Sequence, residues 1–220
     1  RELNRRLAET QENERKELAR ELHDRIGQDL TALGIHLALI LKQLPPHMAE
    51  VHVISARLDD AITEVAQITE QIRDVMADLH PPMLDDYGLF TTLQWYTGLM
   101  IKRTGLAIIV QGAEPVPRLS EPIALALFRV TQEALTNVIK HAQATHVTIT
   151  LLTEDGLTRL VIADNGRGID PPSPEETAFT QSWGLLAMRE RIEAVTGRYW
   201  VKSAPGQGTK IIIEIANASS

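Results

Sequence analysis

Two apolar seams, each cut off by a pair of prolines, constrain the first half of this chain more than any other feature. From Ile26 the apolar residues run Ile26, Leu30, Leu33, Leu37, Ile40 and Leu44, in steps of four and three. That is the spacing of a heptad seam on a long helix. Leu18 and Leu22 precede it at four-residue steps, and Leu3 and Leu7 begin a more charged extension. Pro45-Pro46 ends the helix, because proline has no N–H to donate and its ring clashes with the preceding turn. A second seam steps by three and four through Val51, Ile54, Leu58, Ala61, Val65, Ile68, Ile72, Val75 and Leu79, and Pro81-Pro82 stops it. Two antiparallel helices with so narrow a stripe bury it poorly by themselves, and a second copy completes a four-helix bundle. The expectation is a homodimer through residues 14–80.

The second half changes character. Residues 88–104 and 121–142 read as helices, the latter amphipathic. Residues 107–111 read as a short strand. Val147, Ile149 and Leu151 alternate with polar residues as a half-buried strand does. Asp155-Gly156 is a hairpin signal leading to a strand at 157–163. Residues 169–183 contain three prolines and read as a loop. A helix at 184–195 and strands at 198–203 and 209–215 follow. The mixture predicts an α+β chain: a helical hairpin, then an α/β sandwich with helices on one face of a sheet.

Composition removes several function classes. There is no cysteine, so disulfides, thiol catalysis and thiolate metal sites are excluded. The formal net charge is -7 and no Lys/Arg block occurs, which argues against direct nucleic-acid binding. No apolar run approaches the roughly 18 residues of a membrane helix. The chain opens on Arg1 rather than Met, so the expectation is a fragment of something larger, with any sensory or membrane part lying N-terminal to it.

Four constellations carry chemistry. The first is residues 21–28, where His23 sits beside the seam residues Leu22 and Ile26 and can face water. Gly27 follows one turn later. A mid-helix glycine costs about 1 kcal/mol relative to alanine, which suggests a packing or access reason. Asp24 and Gln28 share a neighbouring face. A neutral imidazole is a competent nucleophile near neutral pH, and a carboxylate on one ring nitrogen leaves the other free to attack. The second is Arg129, Glu133, Asn137, Lys140 and His141, which fall on one face of the 121–142 helix. Oxygen donors beside a cation suit a hydrated Mg²⁺ and its phosphates. The third is Asp164-Asn165-Gly166-Arg167-Gly168 after an apolar strand. There the glycines allow close backbone approach and the aspartate can accept from an exocyclic amine. The fourth is Gly184 at a helix start, able to face phosphate, together with Gly206, Gly208 and Thr209 around a tight turn. Taken singly, each is also what a solvated helix face or an ordinary turn looks like. No P-loop or G-x-G-x-x-G pattern is present.

In this order, the pieces resemble the sensor histidine kinases of bacterial two-component systems, in the nitrate-sensor and desaturase-sensor class. Residues 20–28 are similar to the phosphoacceptor box, 79–89 to the connector, 132–142 to the N box of the ATP-binding domain, and 164–168 and 184–209 to its glycine boxes. The resemblance covers residues 14–215. It implies a linker at 1–13, a dimerisation and phosphotransfer domain at 14–80, a hinge at 81–87 and a GHKL-type ATP-binding domain at 88–217. By position, His23 would accept phosphate, Asp24 would act as base and Gln28 would position water for a phosphatase reaction. Asn137 and Glu133 would hold Mg²⁺, and Lys140 and His141 would contact the nucleotide. Asp164 would bind adenine in a pocket shaped by Gly166, Gly168, Gly184, Gly206, Gly208 and Thr209, and residues 169–183 would form the lid over ATP. The implied partner is a response regulator with a helix-turn-helix output domain, which alone touches DNA. The chain departs from the family pattern at Trp183, Ala187 and Thr196-Gly197. The alternative reading is a dimeric module that binds nucleotide without transferring phosphate.

Overall fold

The computed structural model describes residues 2–44, 51–79, 81, 83–169 and 183–216. Pro45-Pro46, Pro82 and all but the two ends of the expected lid lie outside the described residues. The chain divides into two compact units, Arg1–Pro82 and Met83–Ser220.

In the first unit, helix α1 (Glu2–Glu21) runs through a π-helical turn at Leu22–Gly27 into helix α2 (Gln28–Gln43). Glu21 and Gly27 keep right-handed helical dihedrals, so the path is continuous. The seam explains the wider turn. Leu18, Leu22, Ile26 and Leu30 are spaced by fours, and each such step drifts about 40° around an α-helix. A π turn closes i→i+5 bonds, takes up an extra residue and cancels that drift. Beyond it the three-four alternation keeps the stripe straight without help.

Helix α3 (Val51–Leu79) packs back along α1 and α2. Gly34 lies against Val65, while the stretch around His23 meets Thr69, Ile72 and Met76, so the two arms are antiparallel. Their seam is barely covered. Helix α2 has no buried residue, and Leu33 is 46% and Val75 51% exposed. Among the described residues of this unit, Ala19 and Met76 are the buried hydrophobic side chains.

The second unit is a two-layer sandwich. Helix α4 (Met83–Tyr87) leads into α5 (Leu89–Thr104), strand β1 (Ala107–Gly112) and α6 (Glu121–Asn137), which ends in a π-helical turn at Val138–Ala142. Then come β2 (His146–Glu154), β3 (Leu157–Asp164), α7 (Trp183–Ala194), β4 (Arg198–Ser203) and β5 (Thr209–Ala216). The sheet order is β1-β2-β3-β5-β4, with β1 and β2 parallel and the remaining pairs antiparallel. Asp155 and Gly156 take the two left-handed positions of a tight hairpin between β2 and β3, as that dipeptide predicts.

One sheet face carries Val147, Ile149 and Leu151 from β2, with Leu160 and Ile162 from β3, all buried under the helices. Phe128 of α6 meets Tyr96 of α5 edge to face, with ring centroids 5.3 Å apart and planes at 71°. Met188 and Ile192 carry α7 into the same core. The start of α5 is fixed from a distance: the Leu89 and Phe90 N–H groups donate to the two carboxylate oxygens of Glu114, at 3.0 and 2.6 Å. Gly88 has φ +85, and a β-carbon there would occupy the space of that carboxylate.

Candidate functional site

The candidate residues fall into two groups, one in each unit. In the helical unit His23 is exposed on the π turn. It lines a groove of about 410 Å³ together with Gly27, Gln28, Thr31, Thr69 and Met76, over apolar walls from Leu30, Ile35 and Ile72. Gln28 thus lines the same groove as the histidine. Asp24 is exposed and is not part of that lining. Its neighbour Arg25 donates to Glu21 at 2.7 Å, a pair on the water-facing surface. Gly27 is not forced by steric need. A methyl group at that position would sit 3.9 Å from His23 Nδ1 and 3.8 Å from the Leu22 carbonyl, which is ordinary contact.

In the second unit, the polar row expected on one helix face splits into different environments. Arg129 is buried and donates to Gln132 Oε1 at 2.8 Å. Glu133 and Asn137 are half-buried, and Lys140 and His141 are exposed. The correction comes from the π turn at Val138–Ala142, whose extra residue displaces Lys140 and His141 from the row an α-helix would keep. Glu133 and Asn137 do meet a second motif. A β-carbon at Gly184 would strike the Glu133 carboxylate and lie 3.5 Å from Asn137 Nδ2, so α7 begins directly against this pair. One carboxylate and one amide within reach of each other are oxygen donors of the kind a hydrated Mg²⁺ accepts alongside its waters. No group of three or more His, Cys, Asp or Glu side chains able to hold a metal occurs among the described residues.

The glycine boxes assemble around the end of α6. Arg167 N–H donates to the Ala142 carbonyl at 2.8 Å, and Gly206 N–H donates to the Arg167 carbonyl at 2.6 Å. Residues 164–168 therefore lie between the close of the helix and the 203–209 turn. The glycines are needed for approach of chain to chain. A β-carbon at Gly166 would run into the Ala142 carbonyl, at Gly168 into that of Ala204, and at Gly208 into that of Asp164. Gly206 meets nothing within 4 Å and serves its turn through φ +74. Asp164 accepts from the Gly166 N–H through Oδ1 at 2.8 Å and is half-buried at the end of β3. The Thr209 hydroxyl lies 3.0 Å from Ser203 Oγ, which donates to the Gly208 carbonyl at 2.8 Å and accepts from Ile169 N–H at 2.9 Å.

Ser203 and Asn165 are site-building residues that motif reading passes over. Asn165 Oδ1 accepts from both Thr145 and His146 N–H groups, each at 2.9 Å. The only signals were a serine closing a strand and an asparagine inside a turn motif, and neither shows its distant partner.

Residues 14–84 match the family model described as "Histidine kinase", and residues 123–219 match "Histidine kinase-, DNA gyrase B-, and HSP90-like ATPase". The chain belongs to the sensor histidine kinases. It is 31% identical over 216 residues to the signal transduction histidine-protein kinase/phosphatase DegS of Brevibacillus brevis, covering 95% of this kinase chain and 53% of DegS. To the histidine-protein kinase/phosphatase UhpB of Salmonella typhimurium it is 31% identical over 219 residues, covering 96% of the chain and 40% of UhpB. The kinase sequence thus spans about half the length of the first relative and less of the second. A solved structure of the histidine kinase domain from the Erythrobacter litoralis blue-light activated histidine kinase EL346 superposes with a TM-score of 0.54 at 17% identity. The overlap covers 86% of this chain and 96% of that one, and the likeness is one of fold. No helix among the described residues is long and apolar enough to cross a membrane.

Proposed function

We propose that this chain is the core of a kinase that transfers the γ-phosphoryl group of ATP to its own His23, then to an aspartate of a response regulator. The observation that supports this most is the exposed imidazole of His23, set at the rim of a groove with Gln28 in the segment matched as histidine kinase. In the reaction, the unprotonated ring nitrogen attacks the γ-phosphorus, the bond to the bridging oxygen breaks and ADP leaves. Asp24 takes the proton from the other nitrogen as positive charge develops on the ring. Gln28 holds a water in line for the reverse task, hydrolysis of the regulator's acyl phosphate.

Glu133 and Asn137 would hold Mg²⁺, which neutralises charge on the phosphates. Lys140 and His141 would contact those phosphates, and the free oxygen of Asp164 would accept from the adenine amine. The lid at 169–183 and a hinge at 81–87 between domains 14–80 and 88–217 complete the assignment. The uncovered seam of α2 and α3 supports a homodimer, with four helices sharing one core. The regulator, carrying a helix-turn-helix output domain, would be the DNA-binding member of the pair. Reliance on ATP places the kinase core in the cytoplasm.

Asn137→Ala tests the nucleotide half of this reading. Calorimetric titration with ATP and Mg²⁺ is expected to show affinity reduced on the order of tenfold, the loss of one charge-assisted contact. A variant with the affinity and Mg²⁺ dependence of the wild type contradicts the site.

A further inference from the structure

We infer that Asn165 is a positioning residue for ATP, a clamp that fixes the phosphate-contacting end of α6 against the adenine-contacting end of β3. The inference rests on the nucleotide site proposed above. It begins from two short segments that grip one another at both ends.

At one end, the Arg167 N–H donates to the Ala142 carbonyl at 2.8 Å, and Gly166 packs against Ala142 so closely that a β-carbon is excluded. At the other end the grip is the Asn165 side chain. Its Oδ1 accepts from Thr145 N–H and His146 N–H at 2.9 Å each, and its Nδ2 donates to Thr145 Oγ1 at 2.9 Å. The backbone adds a bond from Asn165 N–H to the His146 carbonyl at 3.2 Å. Two backbone donors converge on one atom, which fixes the amide orientation, since the flipped amide would set N–H against N–H. Because Thr145 Oγ1 accepts from Asn165, its own proton is free for His146 Nδ1, 2.9 Å away.

The clamped stretch is short and unusual. It follows directly on the π turn that carries Lys140 and His141, and Gln143 stands in a left-handed conformation with φ 53. A π turn followed by a left-handed residue is a costly way to leave a helix, and such a stretch holds one geometry only when surrounding bonds over-determine it. Asn165 supplies three of those bonds from the residue next to Asp164. One side chain therefore sets the spacing between Lys140 and His141 on one side and Asp164 on the other. Three of the four hydrogen bonds its amide can make are spent on this stretch, so it acts through these neighbours.

Autophosphorylation of the full chain at varied ATP, with Asn165→Ala, Asn165→Asp and Thr145→Val, tests this. Asn165→Ala is expected to raise the KM for ATP about fivefold with kcat within about twofold, because the nucleotide contacts are displaced and the transferring groups are not. Asn165→Asp keeps an acceptor for both N–H groups and is expected to restore KM to within about twofold. Asn165→Ala with lowered Tm and unchanged KM shows a merely structural role and overturns the inference, as does a failure of Asn165→Asp to restore KM. If Asn165→Ala does not fold, Thr145→Val decides, since it removes one partner of the clamp and leaves the backbone donors in place. A doubled KM supports the clamp and an unchanged KM overturns it. A wild-type chain that binds no ATP defeats the functional reading itself, which separates the two failures.

Discussion

The hydroxyl of Tyr199 on β4 is buried and finds no hydrogen-bond partner among the described residues. Burial pushes its pKa up from 10.0 to about 12, against an opposing pull from Arg189. Below the unfolded value the phenol is neutral in both states and has no effect on the balance. As pH rises from 10 towards 12, the unfolded chain ionises first, so stability is lost through that window. Tyr199→Phe removes an unpaired polar group and is expected to stabilise the fold by about 1 kcal/mol near neutral pH and to flatten the alkaline loss. Urea melts at pH 7 and 10.5 check both, and a destabilised variant contradicts the burial account. Side chains differ in how openly the sequence shows them. His23, Asn137 and Asp164 stand in motifs whose residue types announce their chemistry. The roles of Asn165 and Ser203 depend on partners 20 and 34 residues away, which no local pattern reveals. For Gly166 and Gly208, the sequence shows that a β-carbon is unwanted. Only the fold shows that carbonyls of the chain itself exclude it.

Among the elements, α5 depends on a residue outside it. Glu114 satisfies two of the N–H groups that a helix start leaves unpaired, and its charge suits the positive end of the helix dipole. Glu114→Ala is expected to lower the unfolding free energy by about 1–2 kcal/mol, the range of a lost helix cap. Chemical denaturation measures it, and a change near zero contradicts the capping role. Periodicity revealed most elements: the seams from Ile26 and Val51 became α2 and α3, and the Val147, Ile149, Leu151 alternation became β2. It did not reveal the π turns at 22–27 and 138–142, because one inserted residue leaves apolar spacings of three and four nearly intact. Both wide turns fall on the segments that carry the candidate chemistry, at His23 and at Lys140 and His141.

At the scale of the whole molecule, two units answer different needs. The sandwich buries its own core beneath its helices, and its class was legible from mixed periodicities. Its strand order was not, since the pairing of β3 with β5 joins segments some fifty residues apart that carry no mutual signal. The hairpin leaves its seam exposed, and the proposed second copy would supply the missing surface. Sedimentation equilibrium is expected to give twice the chain mass of 24.4 kDa, and Leu33→Glu with Ile40→Glu is expected to give the single mass. A monomeric wild type contradicts the shared core. The central claim, that the chain phosphorylates itself on His23, is tested most directly with γ-labelled ATP and Mg²⁺ on the wild type beside His23→Gln, followed by an acid wash. The predicted result is label on the wild type that acid removes, and none on His23→Gln although it still binds ATP. Acid-stable label, equal label on both proteins, or a wild type that binds ATP and stays unlabelled would contradict it.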